Sequence, residues 1–182
     1  GFFKAAFGGA TYEEAAPAFN VSIADMQSDF WKKNDVPELA LVNCTDEDFV
    51  NEVMKDLDDN WAPSSEQHIQ YLLNAPRSSR FILQRWATEY RRRLDPLYWV
   101  KKVEEPIYNA LAATCYNGDV VVSDLREMHE YRALHRLAQE FSVQFRVLEI
   151  VRAGTIGSSH SSDAGIPPTV INTRIENDDL DI

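Results

Sequence analysis

Apolar residues fall into two kinds of run along this chain. Asp119 to Ser123 is a continuous valine-rich stretch, a helical pattern follows, and a second apolar stretch runs from Phe145 to Val151 before Arg152-Ala153-Gly154. Unbroken apolar runs are the mark of strands buried on both faces, so residues 119–154 predict a βαβ unit of a parallel sheet. Thr169 to Ile175 predicts a last short strand or pair of strands, with an exposed acidic end after it.

Most of the remaining chain has helical spacing. Val21, Ile23, Met26, Phe30 and Trp31 share one face of a helix that Pro37 stops. Thr45 is placed to cap a helix through Leu57, with acidic residues in its first turn. Ser64-Ser65-Glu66 opens another helix, ending near Pro76. Ser78 or Ser79 starts the next, which carries Phe81, Ile82, Leu83, Trp86 and Tyr90 inward. Asp95-Pro96 breaks it, and Leu97 to Val100 opens a long helix to about Cys115, followed by an Asn117-Gly118 turn. Thr11-Tyr12-Glu13-Glu14 reads as the capped start of a short helix, and Leu39 to Val42 as either a strand or a buried turn.

Composition narrows the functional classes. With 182 residues, 45% of them hydrophobic, the chain suits one well-buried domain, 1–182, mostly helical over 1–76 and built around the βαβ core over 77–182. A formal net charge of −11 opposes binding to a long nucleic acid, whose affinity comes from many neutralised phosphates. Cys44 and Cys115 lie in no metal spacing and suggest reduced thiols of a cytosolic protein. No apolar run approaches the roughly 20 residues that span a bilayer.

The arginines point to a ligand. Ligands of parallel sheets collect at the carboxyl ends of the strands, where Arg126 and Arg152 stand, and paired guanidiniums meet phosphate oxygens bidentately. Arg77, Arg80, Arg85 and Arg91 to Arg93 line another helix, as a solvated face or as phosphate ligands. A small phosphorylated molecule is the expected partner.

A family resemblance sharpens that expectation. Ser79-Arg80-Phe81-Ile82-Leu83-Gln84, Ala87-Thr88-Glu89, Tyr98-Trp99-Val100-Lys101, Asp124-Leu125-Arg126 with His129-Glu130, Val151 to Gly154, and Ser159 to Gly165 resemble, in order and spacing, the successive blocks of the bacteriophage deoxynucleoside monophosphate kinases. The likeness covers the chain from about Ser78 onward. Before Pro76 it is faint, with Phe3 to Gly8 as a match to the start of a helix.

The resemblance implies a P-loop nucleotide-kinase fold, a three-layer parallel sheet with flanking helices, and transfer of the ATP γ-phosphoryl group, with Mg²⁺, to a deoxynucleoside monophosphate (dNMP). Such transfer depends on positioning and charge stabilisation. Carried over by block, Arg80 holds the acceptor phosphate, Trp99 packs on base or sugar, Arg126 and Glu130 define the acceptor site, Arg152 faces phosphates, and His160 belongs to a mobile loop. The residues also carry plainer readings: Trp99 as core, Arg126 with Glu130 as an i,i+4 ion pair, His160 as a solvated side chain. Arg80 and Arg152 stand in otherwise apolar surroundings, where a buried guanidinium demands an anionic partner.

One family element has no counterpart. No lysine follows a glycine here, so the Gly-x4-Gly-Lys-Ser/Thr phosphate loop is missing, along with the strand before it. In the family that strand lies between those represented by Val120–Ser123 and Phe145–Val151. Two expectations follow: an N-terminally incomplete enzyme, or a shortened, non-catalytic relative serving as a phage structural or interaction protein, such as a virion component or inhibitor. In the second case Leu39–Val42 or a partner chain closes the sheet. The enzyme reading places the protein in the cytoplasm of an infected host; the alternative places it in the virion.

Overall fold

The computed structural model describes residues 1–58, 65–113, 118–151 and 166–177. The chain is mixed α/β and gathers into two compact units, residues 8–99 and residues 1–7 with 100–182.

The 8–99 unit is helical. Its first helix, α1 (Phe7–Ala18), ends where Asn20 takes a left-handed φ of 53° and the Val21 N–H reaches back to the Ala16 carbonyl at 3.1 Å. That six-to-one bond is the helix-ending motif usually built on glycine; asparagine tolerates the same conformation. The single helix expected over Val21–Lys33 is two, α2 (Ile23–Gln27) and α3 (Asp29–Lys33), because Ser28 ends the first and its hydroxyl accepts the Trp31 N–H that starts the second. Leu39 and Leu41 fall in two single turns of 3-10 helix, with Leu39, Ala40 and Leu41 buried and Val42 exposed, so the segment is a turn and not a strand and closes no sheet.

Helix α4 (Glu47–Asp58) is capped by Asp46, whose carboxylate accepts the Phe49 N–H at 2.9 Å. Thr45, the expected cap, instead donates its hydroxyl to the Ala18 carbonyl and ties α4 to the end of α1. Ser65 caps α5 (Glu66–Asn74) and Ser78 caps α6 (Ser79–Gln84), as their position before apolar helical patterns predicts. Beyond α6 the chain continues helically over Arg85–Arg92 with wider π-type turns. The core of this unit centres on Phe49, with the Trp86, Tyr90 and Phe19 rings 4.5, 5.7 and 6.2 Å away, and on Met26, Leu39, Leu41 and Ile82.

The other unit holds the strands. β1 (Phe2–Ala6) lies parallel to β2 (Asp119–Ser123), with Phe3 opposite Val120 and Ala5 opposite Val122. β3 (Leu148–Val151) lies parallel to β4 (Thr173–Glu176), with Ile150 opposite Ile175. The first strand corrects the expectation of a helix start at Phe3–Gly8. An Ala-containing segment adopts the extended form because the valine run offers it a ladder, and such pairing overrides a weak local preference.

Helix α7 (Tyr98–Ala112) precedes β2, and α8 (Met128–Glu140) connects β2 to β3. Val103, Ile107, Ala133, Leu134, Leu137 and Val147 form the core here. The expected strand–helix–strand succession is present, but among the described residues β2 and β3 form no ladder with each other: each is paired, in parallel, with a different strand. No described helix is long and apolar enough to cross a membrane.

Candidate functional site

At the carboxyl end of β2 the chain turns sharply. Asp124 adopts a left-handed φ of 56°, and its carboxylate accepts the Phe7 N–H at 2.9 Å, fastening the end of β2 to the junction of β1 and α1. The carboxylate of Glu130, 1% exposed, then accepts the main-chain N–H groups of Arg126 and Glu127 at 2.9 and 3.0 Å. Together with Glu127 it forms a capping box at the start of α8. This carboxylate fixes the Asp124–Glu127 turn and leaves the Arg126 side chain exposed at the strand end. Among the described residues the Arg126 guanidinium has no hydrogen bond or ion pair. Arg126 and Glu130 are therefore brought together, but through the main chain, not as the i,i+4 ion pair that spacing alone allows.

In the 8–99 unit most arginines are committed. Arg77 donates to the Pro76 and Leu72 carbonyls at the end of α5 and lies over the Phe81 ring; burial lowers its pKa, with the neighbouring Arg85 charge adding to the effect. Arg85 covers the same ring at 4.0 Å and pairs with Glu89, whose carboxyl burial pushes up. Arg93 meets Glu52 and Asp56 on the surface. Arg91 is the hub of a network that sequence reasoning missed. Burial works against its charge, yet the hydrogen bond from its Nε to Glu14 holds its pKa above the usual value.

Glu14 also accepts the Trp86 indole N–H at 3.2 Å and the Tyr98 hydroxyl, while the Arg91 guanidinium lies 4.3 Å from the Tyr90 ring centre. Tyr90 in turn donates to Asp46, and burial and that carboxylate push its pKa up to about 12. No local motif announces this network, because its members come from four separate segments.

Arg80 differs from these neighbours. The expectation of a guanidinium buried in apolar surroundings is corrected: the side chain is exposed, and among the described residues it has no hydrogen bond, ion pair or aromatic partner. Trp99 is 3% exposed, and its indole N–H donates to the Ala87 carbonyl at 3.0 Å, inside the π-type segment that follows Arg80. It is a core residue whose polar atom is satisfied. Arg152, His160 and the whole Thr155–Gly165 segment lie outside the described residues, as do Cys115 and Asn117.

The chain matches no protein-family model and no curated protein sequence. Arg80, within an otherwise committed set of arginines, and Arg126, at the carboxyl end of a parallel strand, are exposed and without a side-chain partner among the described residues, as are Arg132 and Arg146.

A donor nucleotide with its metal requires a phosphate cradle, and the described residues do not supply one. Gly8 and Gly9 do follow a strand, contrary to the sequence expectation, but they stand in the first turn of α1 with no intervening loop and no lysine. The Asp124 carboxylate already occupies the Phe7 N–H there, placing negative charge where a phosphate would have to sit. The residues present thus do not fit ATP with Mg²⁺.

Proposed function

We propose that this chain is a deoxynucleoside monophosphate kinase-like protein carrying the acceptor-binding half of the P-loop nucleotide-kinase fold, without the elements that hold ATP. The observation that carries this reading is the pairing pattern of the strands. β1–β2 and β3–β4 are both parallel, α8 joins β2 to β3, and among the described residues those two strands do not pair with each other. A three-layer kinase sheet lacking its middle strand has this pattern, and the exposed Arg126 at the end of β2 agrees with ligand binding at strand carboxyl ends.

In this reading Arg126 lies at the acceptor site as the strand-end residue, and Arg80 takes its phosphate-holding role from the resemblance alone. Glu130 positions Arg126 by fixing the turn that carries it, and Trp99 shapes the acceptor site from within the packing against Ala87. Arg152 and His160 complete the resemblance as phosphate- and nucleotide-facing residues. No transfer step is assigned to the 1–182 chain.

Calorimetric titration with each of the four common dNMPs tests this directly. At least one binds, and Arg80→Ala or Arg126→Ala weakens it about tenfold, as loss of a charge-assisted hydrogen bond of roughly 1.5–3 kcal/mol requires. Binding unchanged in both variants removes these residues from any acceptor site. ATP and Mg²⁺ added to the 1–182 chain give no turnover; turnover that vanishes in Arg80→Ala overturns the claim that the donor half is missing.

The edges of β2 and β3 that pair with no further strand among the described residues favour a second reading, a non-catalytic interaction protein that receives a strand from a partner, in a virion or bound to a host protein. Main-chain groups left open on a strand are a template for such pairing. A monomer that binds no dNMP but forms a stoichiometric complex with one phage protein selects this alternative.

A further inference from the structure

A cleft lies at the amino ends of β3 and β4. It has a volume of about 410 Å³, is open to solvent, and is bounded by α8, the segment that leads into β3 and the residues just before β4. That size falls within the roughly 300–1,000 Å³ of small-molecule sites. Phe145 stands just before β3 and Asn172 immediately before β4, so the cavity sits at the amino ends of these strands.

Its walls combine ring faces with hydrogen-bonding groups. Tyr131 and His135, one helical turn apart on α8, stack with ring centres 5.7 Å apart and planes 12° apart. Phe145 tilts against both, 5.7 Å from Tyr131 and 5.8 Å from His135. Gln139, Ser142 and Asn172 add polar groups. The Asn172 side-chain oxygen already accepts the Val147 N–H at 2.7 Å, which leaves its amide NH₂ as a donor. The left-handed Ser142, φ 54°, ends α8 and turns the chain towards Phe145.

The ligand class follows from what lines the cavity. Among the described residues no lysine, arginine, aspartate or glutamate does so, which argues against a phosphate or a cation as ligand. Three aromatic rings with amide and hydroxyl groups beside them suit a flat molecule that stacks and offers in-plane acceptors and donors. We propose that this cavity binds an uncharged planar nitrogen heterocycle of nucleobase size, at a site separate from the Arg126 turn. Occupation there ties α8 to the starts of β3 and β4.

Titration with adenine, adenosine and adenosine monophosphate, followed by amide chemical shifts and calorimetry, tests the assignment. Adenine binds, with shifts centred on Val143, Phe145 and Thr169. His135→Ala weakens it about tenfold, the effect expected for loss of one stacking face worth roughly 1–3 kcal/mol. Gln139→Trp, an exposed position whose larger side chain fills the cavity, abolishes binding without lowering the melting temperature. Arg126→Ala leaves adenine affinity within about twofold, whatever becomes of dNMP binding.

Three results overturn the proposal. One is no adenine binding to the wild-type chain; another is affinity unchanged in both His135→Ala and Gln139→Trp. The third is a gain in affinity at these residues when a phosphate is added, since no cationic side chain is there to meet it.

Discussion

The two units of this chain treat their apolar and polar groups differently. In residues 8–99, Phe49, Trp86, Ile82 and Met26 are sealed from water, and Glu14 and Asp46 satisfy the hydroxyl, indole and guanidinium groups around them. The strand-bearing unit leaves Leu148, Ile150 and Ile175 at 55%, 69% and 43% exposure on the paired strands β3 and β4, and β2 also exposes Val121. One region closes its own accounts, whereas the other presents strands that bury little. The contrast teaches where stability resides and which apolar faces are left open.

The sharpest way to break the comparison is to cut into the sealed unit. Trp86→Ala removes a ring that fills the centre of the Phe49 cluster, and about 3–5 kcal/mol of stability is lost in denaturant unfolding. A loss below about 1 kcal/mol contradicts the view that this cluster is the main core. Glu14→Ala follows at about 2–3 kcal/mol, because it leaves the Trp86 N–H and the Tyr98 hydroxyl without their acceptor and the Arg91 guanidinium with only Asp46, 3.6 Å away. If Glu14→Ala proves neutral, the network is incidental to stability.

In the strand-bearing unit, Glu130→Ala costs about 1–2 kcal/mol by uncapping α8, and amide exchange at Arg126 and Glu127 accelerates. Unaltered exchange there shows that the turn is held by something else. The smallest effect belongs to the open apolar face. Ile150→Lys changes stability by about 0.5 kcal/mol or less, as an exposed substitution does, and a penalty above about 2 kcal/mol means the face is covered in solution.

Cys44 sharpens the picture through pH. Burial raises its thiol pKa from 9.0 to about 11, so the folded state holds the proton more tightly than the unfolded state does. The stabilisation is complete below about pH 9 and fades as pH climbs through 11. Alkylation at pH 8.5 is therefore slow in the folded chain and speeds up on unfolding; equal rates show an accessible thiol.

Much of the local structure was legible. The valine run fixed β2, the serine caps placed α5 and α6, and Asp95-Pro96 marked the entry to α7. What escaped was non-local. β1 exists because of a partner across the chain: the bond that fastens its end joins Phe7 and Asp124, 117 positions apart. The π-type turns over Arg85–Arg92 carry no periodic signature, and the Ala87 carbonyl within them is claimed by Trp99.

For the candidate site, strand-end logic found Arg126, and spacing found its partner Glu130 but not the main-chain bonds that join them. Arg80 was singled out for burial it does not have; exposure and the absence of a partner among the described residues are what distinguish it.

Arg80 and Arg126 each carry a proposed role in holding an anionic ligand. Calorimetry of the best-binding dNMP against the wild-type chain, Arg80→Ala, Arg126→Ala and the double variant measures this most directly. Each single change is expected to weaken binding about tenfold and the double change to abolish it. Equal affinities across all four proteins would contradict the assignment.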